Sequence, residues 1–112
     1  MNILILGSGI VGANLAKKLS EQGKNVFLLD DDANELKNLS ERFDIKTIYD
    51  DPLNPSFYKN FDTKIDYFIA VTRSDEKNII TSKFAKEFLN VDKSIARVRN
   101  QNLILDENKS LL

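Results

Sequence analysis

The chain has 112 residues, 42% of them hydrophobic and 29% charged, which suffices for one compact domain and leaves no room for a second. Sixteen basic and seventeen acidic residues give a formal charge of −1, so the basic footprint of a nucleic-acid binder or of a protein lying on an anionic membrane is excluded. The lack of Cys and His excludes a disulfide frame, a thiol nucleophile, an imidazole base and the usual zinc sites, and no spacing of the carboxylates matches a calcium loop.

The N-terminus runs directly into the apolar stretch Asn2-Ile3-Leu4-Ile5-Leu6. No signal or transit peptide is therefore expected ahead of the fold, and no apolar run approaches membrane-spanning length. The expected compartment is the cytoplasm, without direct membrane insertion. Asn2–Leu6 reads as a buried strand and passes into Gly7-Ser8-Gly9-Ile10-Val11-Gly12. A helix follows, with Val11, Leu15, Ala16 and Leu19 on one face, Lys17, Lys18 and Glu21 on the other, and Gly23 at its end. Val26-Phe27-Leu28-Leu29-Asp30 is a second strand that ends in a carboxylate.

Strand, glycine turn, helix and acidic strand end together form the fingerprint of an adenine-dinucleotide site. Gly7 permits the tight turn, Gly9 lets a pyrophosphate approach the backbone, and Gly12 lets helix and strand pack closely. Unpaired N–H groups at the helix start, with a partial charge of roughly +0.5, attract the phosphates without a basic side chain. Asp30, eighteen residues after Gly12, has two oxygens that can accept both ribose hydroxyls. The same carboxylate disfavours NADP, because a 2′-phosphate about 4 Å away would be repelled by about 4 kcal/mol at an effective dielectric near 20. Asp31 and Asp32 deepen the negative field, and no arginine adjoins them. NAD(H) fits best. ATP, ADP and AMP carry the same adenosine ribose and remain open.

A second helix is predicted from about Ala33 to Phe43, with Leu36, Leu39 and Phe43 inward and Asp31 or Asp32 as its N-cap. Ile45–Tyr49 reads as a short third strand. Asp50-Asp51-Pro52-Leu53-Asn54-Pro55 starts a loop, after which Ser56 could cap a short helix through about Phe61. At the carboxyl end of a strand, Asp50 and Asp51 are either neighbours of an adenine or ribose, or a pair of turn-forming aspartates before a proline.

Asp66–Thr72 is the most apolar strand and does not alternate, as expected of a central parallel strand buried on both faces. Ser74 or Asp75 can cap the next helix, which is predicted to bury Ile79, Ile80, Phe84, Ala85, Phe88 and Leu89. Thr72, at the strand end, has a hydroxyl that could reach a ribose or phosphate. Ser94–Arg99 reads as a fifth, edge strand with Arg97 and Arg99 on one side. That pair fits a phosphate contact, a subunit salt bridge or a charge-protected edge. Asn100–Leu112 is a helix candidate whose final Leu111-Leu112 suggests an artificial boundary.

The alternation gives an α/β, Rossmann-like, three-layer doubly wound parallel sheet of about five strands, in the order 3-2-1-4-5. Ile5-Leu6-Gly7-Ser8-Gly9-Ile10-Val11-Gly12, Asp30, Ala70-Val71-Thr72, Asp75-Glu76-Lys77-Asn78 and Ala96-Arg97 occur in one order. In this the chain resembles the TrkA N-terminal domain, also called the RCK N-terminal or KTN domain, over essentially its whole length. The resemblance implies a non-catalytic regulatory subunit of a bacterial potassium uptake system. Such a subunit binds NAD(H) or adenine nucleotides, forms a homo-oligomer of two or more copies, and acts on a membrane-embedded potassium transporter at the inner face of the membrane. It also implies one nucleotide-binding domain over residues 1–112, truncated before its last strand and any C-terminal domain, with the chain from about Leu103 crossing to a neighbouring subunit.

Carried over by position, the resemblance puts Gly7, Gly9 and Gly12 at the pyrophosphate, Asp30 at the adenosine ribose and Thr72 against the nucleotide; Ser8, Ile10, Val11, Asp31, Asp50, Asp51 and Arg97 complete the set of candidate cofactor-binding residues. Asp75 and Asn78 shape the start of their helix. Two departures stand out. Tyr49-Asp50-Asp51-Pro52 replaces the Gly-Asp-x-Thr turn of many relatives, so only Asp50 carries over. Ile10 occupies the place of an arginine found in relatives that use ATP and ADP, which favours NAD(H).

The competing reading is a cofactor-binding fragment of an NAD-dependent oxidoreductase. Against it, no Tyr-x-x-x-Lys pair starts at Tyr49, Tyr58 or Tyr67, and no histidine is present as acid or base. A third reading is an assembly module without a ligand.

Overall fold

A computed structural model describes residues 1–103. The order along the chain is β1 (Asn2–Leu6), α1 (Ile10–Glu21), β2 (Asn25–Asp30), α2 (Ala33–Arg42), β3 (Lys46–Tyr49), α3 (Pro55–Asn60), β4 (Tyr67–Ala70), α4 (Asp75–Phe84) and β5 (Lys93–Ala96). A π-helical turn, Ala85–Leu89, extends α4, and a single 3-10 turn, Gln101–Leu103, follows β5. All four pairings are parallel and the sheet order is β3-β2-β1-β4-β5, as the alternation predicts. The helix expected over Asn100–Leu112 is represented only by that 3-10 turn, and the rest of it lies outside the described residues.

The period-two geometry of strands divides the core between two faces. Ile3 and Ile5 of β1 join Val26 and Leu28 of β2 under Ala16 of α1 and Leu36 and Leu39 of α2. Leu4 and Leu6 join Phe27, Leu29, Phe68 and Ala70 on the other face, under Tyr58 of α3 and Ala85 and Leu89 of the π turn. The central strands therefore read as unbroken apolar runs because each successive side chain has a helix layer to enter. Full burial of each such leucine or isoleucine is worth about 1.5–3 kcal/mol.

Local chemistry sets the helix starts. Asp32 caps α2, its carboxylate accepting from the N–H of Glu35 at 3.1 Å. Ser74 caps α4, its hydroxyl accepting from the N–H of Lys77 at 3.1 Å. Asn54, not Ser56, caps α3: its side chain accepts from the N–H of Ser56 at 3.0 Å, and Pro55 fills the first helical position, where a missing N–H costs nothing.

Three expectations need correction. In β4 only Phe68 and Ala70 are fully buried, while Tyr67 and Ile69 are half-buried, so the strand does alternate in depth. Along α4 and its π turn, Asn78, Thr81, Ala85 and Leu89 face inward, whereas Ile80 and Phe88 are exposed. The polar stripe wins because Asn78 and Thr81 are hydrogen-bonded where they are buried, and such groups carry no net desolvation penalty. The fifth strand pairs over Lys93–Ala96, and only the N–H of Arg97 continues the ladder, to the Ala70 carbonyl. Beyond it the chain is drawn off toward α4 by Asp75.

Candidate functional site

In this sheet order the chain turns from leftward to rightward winding between β1 and β4, which is where doubly wound folds open a crevice at their carboxyl edge. A cleft of about 840 Å³ lies there. Its wall includes the turn from Gly7 to Val11, the β2 end from Asp30 to Asp32, Thr72 and Arg73 after β4, and Arg97 and Arg99 after β5.

Two glycines are demanded by the protein itself. Gly7 has φ +116°, where a side chain would be strained and its Cβ would stand 3.1 Å from the Val71 carbonyl carbon. Gly12 lies against the turn so closely that a Cβ would be 1.7 Å from the Gly7 carbonyl oxygen. Gly12 is thus a packing residue and does not line the cleft. At Gly9, by contrast, a Cβ would meet nothing among the described residues within 4 Å. The fold leaves that space open beside the start of α1, whose N-cap is Gly9 and has no side-chain capping bond. Open backbone donors at a helix N-terminus fit an anionic group.

Asp30 faces the same turn and is already well supplied with donors. The Ser8 N–H and hydroxyl both donate to its Oδ2, at 2.6 and 2.7 Å. The N–H groups of Asp31 and Asp32 donate to Oδ1, at 2.7 and 3.2 Å. Burial pushes the carboxyl pKa up, but the hydrogen bonds from Ser8 and Asp31 outweigh it and hold the group below the ordinary aspartate value. Asp30 is therefore a fixed negative charge at neutral pH.

On the opposite wall, Asn78 is the organising residue. Its amide oxygen accepts from the Thr72 N–H and hydroxyl at 2.9 and 2.7 Å, and its amide nitrogen donates to the carbonyls of Thr72 and Arg97 at 3.0 and 2.9 Å. The Thr72 hydroxyl, expected to reach a ribose or phosphate, has given its one proton to Asn78 and accepts from the Ser74 N–H at 3.2 Å. Thr72 nevertheless lines the cleft. Arg97 and Arg99 turn back over the loop, donating through Nη2 to the carbonyls of Thr72 and Arg73 at 2.8 and 2.9 Å. Arg97 Nε is buried and meets no hydrogen-bond partner among the described residues. Asp75 accepts from the N–H groups of Arg99 and Asn100 at 3.0 and 2.8 Å, and those bonds lower its carboxyl pKa.

Of the residues singled out in the sequence, Gly7, Ser8, Gly9, Ile10, Val11, Asp30, Asp31, Thr72 and Arg97 come together in the cleft wall. Asp50 and Asp51 do not. The Asp50 carboxylate accepts from the Asp51 N–H at 2.7 Å and that of Asp51 from the Leu53 N–H at 3.0 Å, so each supports the turn. Asp50 borders a separate hollow of about 350 Å³ with Asn54, Ser56, Phe57, Asn60 and Phe61. Sequence reasoning missed Arg73 and Lys77 in the cleft wall and the hub role of Asn78. The signals for Asn78 were its place in the segment that carries the family resemblance, which implied a part in shaping the start of α4, and a polar residue at an inward position of that helix.

Glycine turn, open helix N-terminus and strand-end carboxylate on one side of the β1/β4 switch point define a Rossmann-type domain. The TrkA-N domain family model matches residues 3–106, and the chain belongs to that family. The chain is similar to the Trk system potassium uptake protein TrkA of Haemophilus influenzae, with 31% identity over 97% of this chain and 24% of that protein. It is also similar to the protein of the same name from Halomonas elongata, with 36% identity over 88% of this chain and 22% of the relative. The chain thus spans about a quarter of the length of these two relatives. Among solved structures, the NAD(P)-binding domain of an exopolyphosphatase-related protein from Archaeoglobus fulgidus superposes with a TM-score of 0.79 at 22% identity, covering 90% of this chain and 75% of that one. UDP-glucose 4-epimerase from Bifidobacterium longum superposes with a TM-score of 0.65 at 13% identity, covering 80% of this chain and 33% of that one. At those identities the likeness is one of fold.

Proposed function

We propose that this domain is a non-catalytic ligand sensor of a potassium uptake system, binding NAD(H) in the cleft and passing its occupancy to a membrane-embedded transporter. The observation that carries this reading is the convergence, in one cleft, of the unfilled approach at Gly9, the uncapped start of α1 and the ionised Asp30. Gly9 and the N-terminus of α1 would hold the pyrophosphate, and Asp30 the adenosine ribose. The buried Arg97 Nε, without a partner among the described residues, offers a further donor to an anion. Bound NAD(H) would bring two phosphates, a ribose diol and a nicotinamide whose oxidation state is the signal. The charge of Asp30 selects against a 2′-phosphate, whereas ATP, ADP and AMP share the free diol. The similarity to proteins named Trk system potassium uptake protein TrkA supports the place of the domain in potassium transport.

A sensor of this kind works by binding more tightly to one arrangement of an assembly than to another, because equal affinities shift no equilibrium. The assembly is a homo-oligomer on the cytoplasmic side of the transporter. The test is titration of the domain with NADH by nicotinamide fluorescence, competed with NAD+, ATP and ADP and repeated with Asp30→Ala. Saturable binding weakened by the substitution is expected. Absence of binding by every nucleotide would refute the reading, and unchanged nucleotide-dependent potassium uptake in cells carrying Asp30→Ala would refute its regulatory part.

A further inference from the structure

An ionised carboxylate has about four acceptor positions, two on each oxygen. Four donors already point at Asp30, two to each oxygen: the Ser8 N–H and hydroxyl on Oδ2, and the N–H groups of Asp31 and Asp32 on Oδ1. A ribose diol that takes one position on each oxygen must therefore displace one donor from each. On Oδ1 the displaced donor is the Asp32 N–H, whose bond is the longest of the four at 3.2 Å and whose residue is exposed, so it can turn to water. On Oδ2 the Ser8 N–H is fixed by the turn at Gly7, where φ is +116°. The Ser8 hydroxyl can leave Oδ2 by rotating about Cα–Cβ, which carries Oγ out of the acceptor position and makes room for the incoming oxygen. Ser8 is only 4% exposed, so water does not readily replace the lost partner.

We infer that the Ser8 hydroxyl is an internal competitor for the ligand at Asp30, holding the acceptor position that one hydroxyl of an adenosine ribose takes on binding. It thereby makes affinity for nucleotides with a free diol weaker than Asp30 alone would give. The inference rests on the reading of the cleft as a nucleotide site. After the exchange, the freed Ser8 Oγ is itself an acceptor and donor beside the diol.

The experiment compares wild type with Ser8→Ala, which keeps the backbone N–H bond and removes the competitor. Ser8→Gly serves as a second variant in case alanine disturbs the turn. NADH and ADP are the diol probes, and 2′,3′-dideoxy-ADP is the probe without a diol. The competitor role predicts roughly 2- to 10-fold tighter binding of NADH and ADP, the worth of one net hydrogen bond, with no change for the dideoxy probe. Ligand-free protein gives an independent readout, because loss of the hydroxyl should raise the Asp30 titration midpoint followed by carboxyl NMR. Asp31, Asp32, Glu35, Lys17 and Arg97 line the same cleft and are common to both proteins, so the difference isolates Ser8. Unchanged or weaker NADH and ADP binding, or an unmoved Asp30 midpoint, would overturn the inference while leaving the nucleotide site intact. No binding of either diol probe to any variant would overturn the nucleotide reading and the exchange with it.

Discussion

Gly12 and Gly9 belong to one motif but to two different physical constraints, and alanine substitutions at each should separate them. At Gly12 the new methyl carbon would sit 1.7 Å from the Gly7 carbonyl oxygen and 2.8 Å from its carbon. Both are backbone atoms, so no rotamer change relieves the overlap. Relief requires α1 to move off the turn by about 1.5 Å, since carbon and oxygen rest at roughly 3.2 Å or more in packed interiors. Overpacking of this kind costs about 1–3 kcal/mol, and the rigid contact places Gly12→Ala at the upper end. For a domain of this size that lowers Tm by roughly 10–20 °C. At Gly9 the backbone already has φ −68° and ψ −170°, a conformation that alanine adopts, and its Cβ meets nothing. Losing glycine at the N-cap and gaining backbone rigidity nearly cancel, so stability should stay within about 0.5 kcal/mol. On the proposed reading of the cleft its methyl group would instead stand in the pyrophosphate's approach, and NADH affinity should fall about tenfold or more. Urea and thermal unfolding, paired with the NADH titration, check both. Equal destabilisation by the two substitutions, or full stability of Gly12→Ala, would refute the division.

Asn78→Ala should cost about 2–4 kcal/mol in urea unfolding, because it strands the Thr72 N–H and the Arg97 carbonyl, each previously bonded within the protein; a loss below 1 kcal/mol would show that water takes over the amide's role. Tyr58→Phe should cost about 1 kcal/mol by removing the bond from its buried hydroxyl to the Pro52 carbonyl at 2.6 Å. The same variant tests a pH linkage: burial, with help from Asp51 and Asp50, raises the Tyr58 pKa above its ordinary value of 10.0, so the unfolded chain ionises first and stability falls as pH rises past 10. Tyr58→Phe should show a shallower alkaline loss than wild type. For Asp30 the sign is opposite: its folded pKa lies below the model-peptide value of 3.8, so its contribution is present above that pH and disappears as pH falls through the folded pKa. The stability gap between wild type and Asp30→Asn at pH 7 should therefore narrow in urea titrations carried below pH 4.

The sheet was legible because each buried strand carries its own signal. Ile3-Leu4-Ile5-Leu6 and Val26-Phe27-Leu28-Leu29 have no polar member, which only a strand covered on both faces tolerates, and helices of 10 and 12 residues between strands force parallel crossovers. What misled the eye was the helix after β4. Hydrophobicity alone assigns Ile80 and Phe88 to the core, yet Asn78 and Thr81 occupy it. Asn78 is bound from both sides by the β4–α4 loop and the end of β5. Partners 6 and 19 residues away satisfy it, and the second of these is invisible to any local reading.

The same distinction runs through the site. That the glycine turn and Asp30 share one cleft wall could be read because their spacing gives each position a fixed place relative to one strand and one helix. Asp50 and Asp51 could not be assigned, because a carboxylate before a proline serves a turn or a ligand with the same local sequence, and only the donors that reach it decide. Arg97 and Arg99 were legible as a pair on one side but not as the loop-spanning residues they are, since their acceptors are the carbonyls of Thr72 and Arg73, 25 and 26 residues earlier. Ser8 is the sharpest case. Its side chain is no part of the glycine spacing, yet its hydroxyl donates to the Asp30 carboxylate at the end of β2. Spacing thus locates the cleft at the carboxyl edge of the sheet, while the hydrogen-bond inventory of its wall determines what a ligand must displace to enter it.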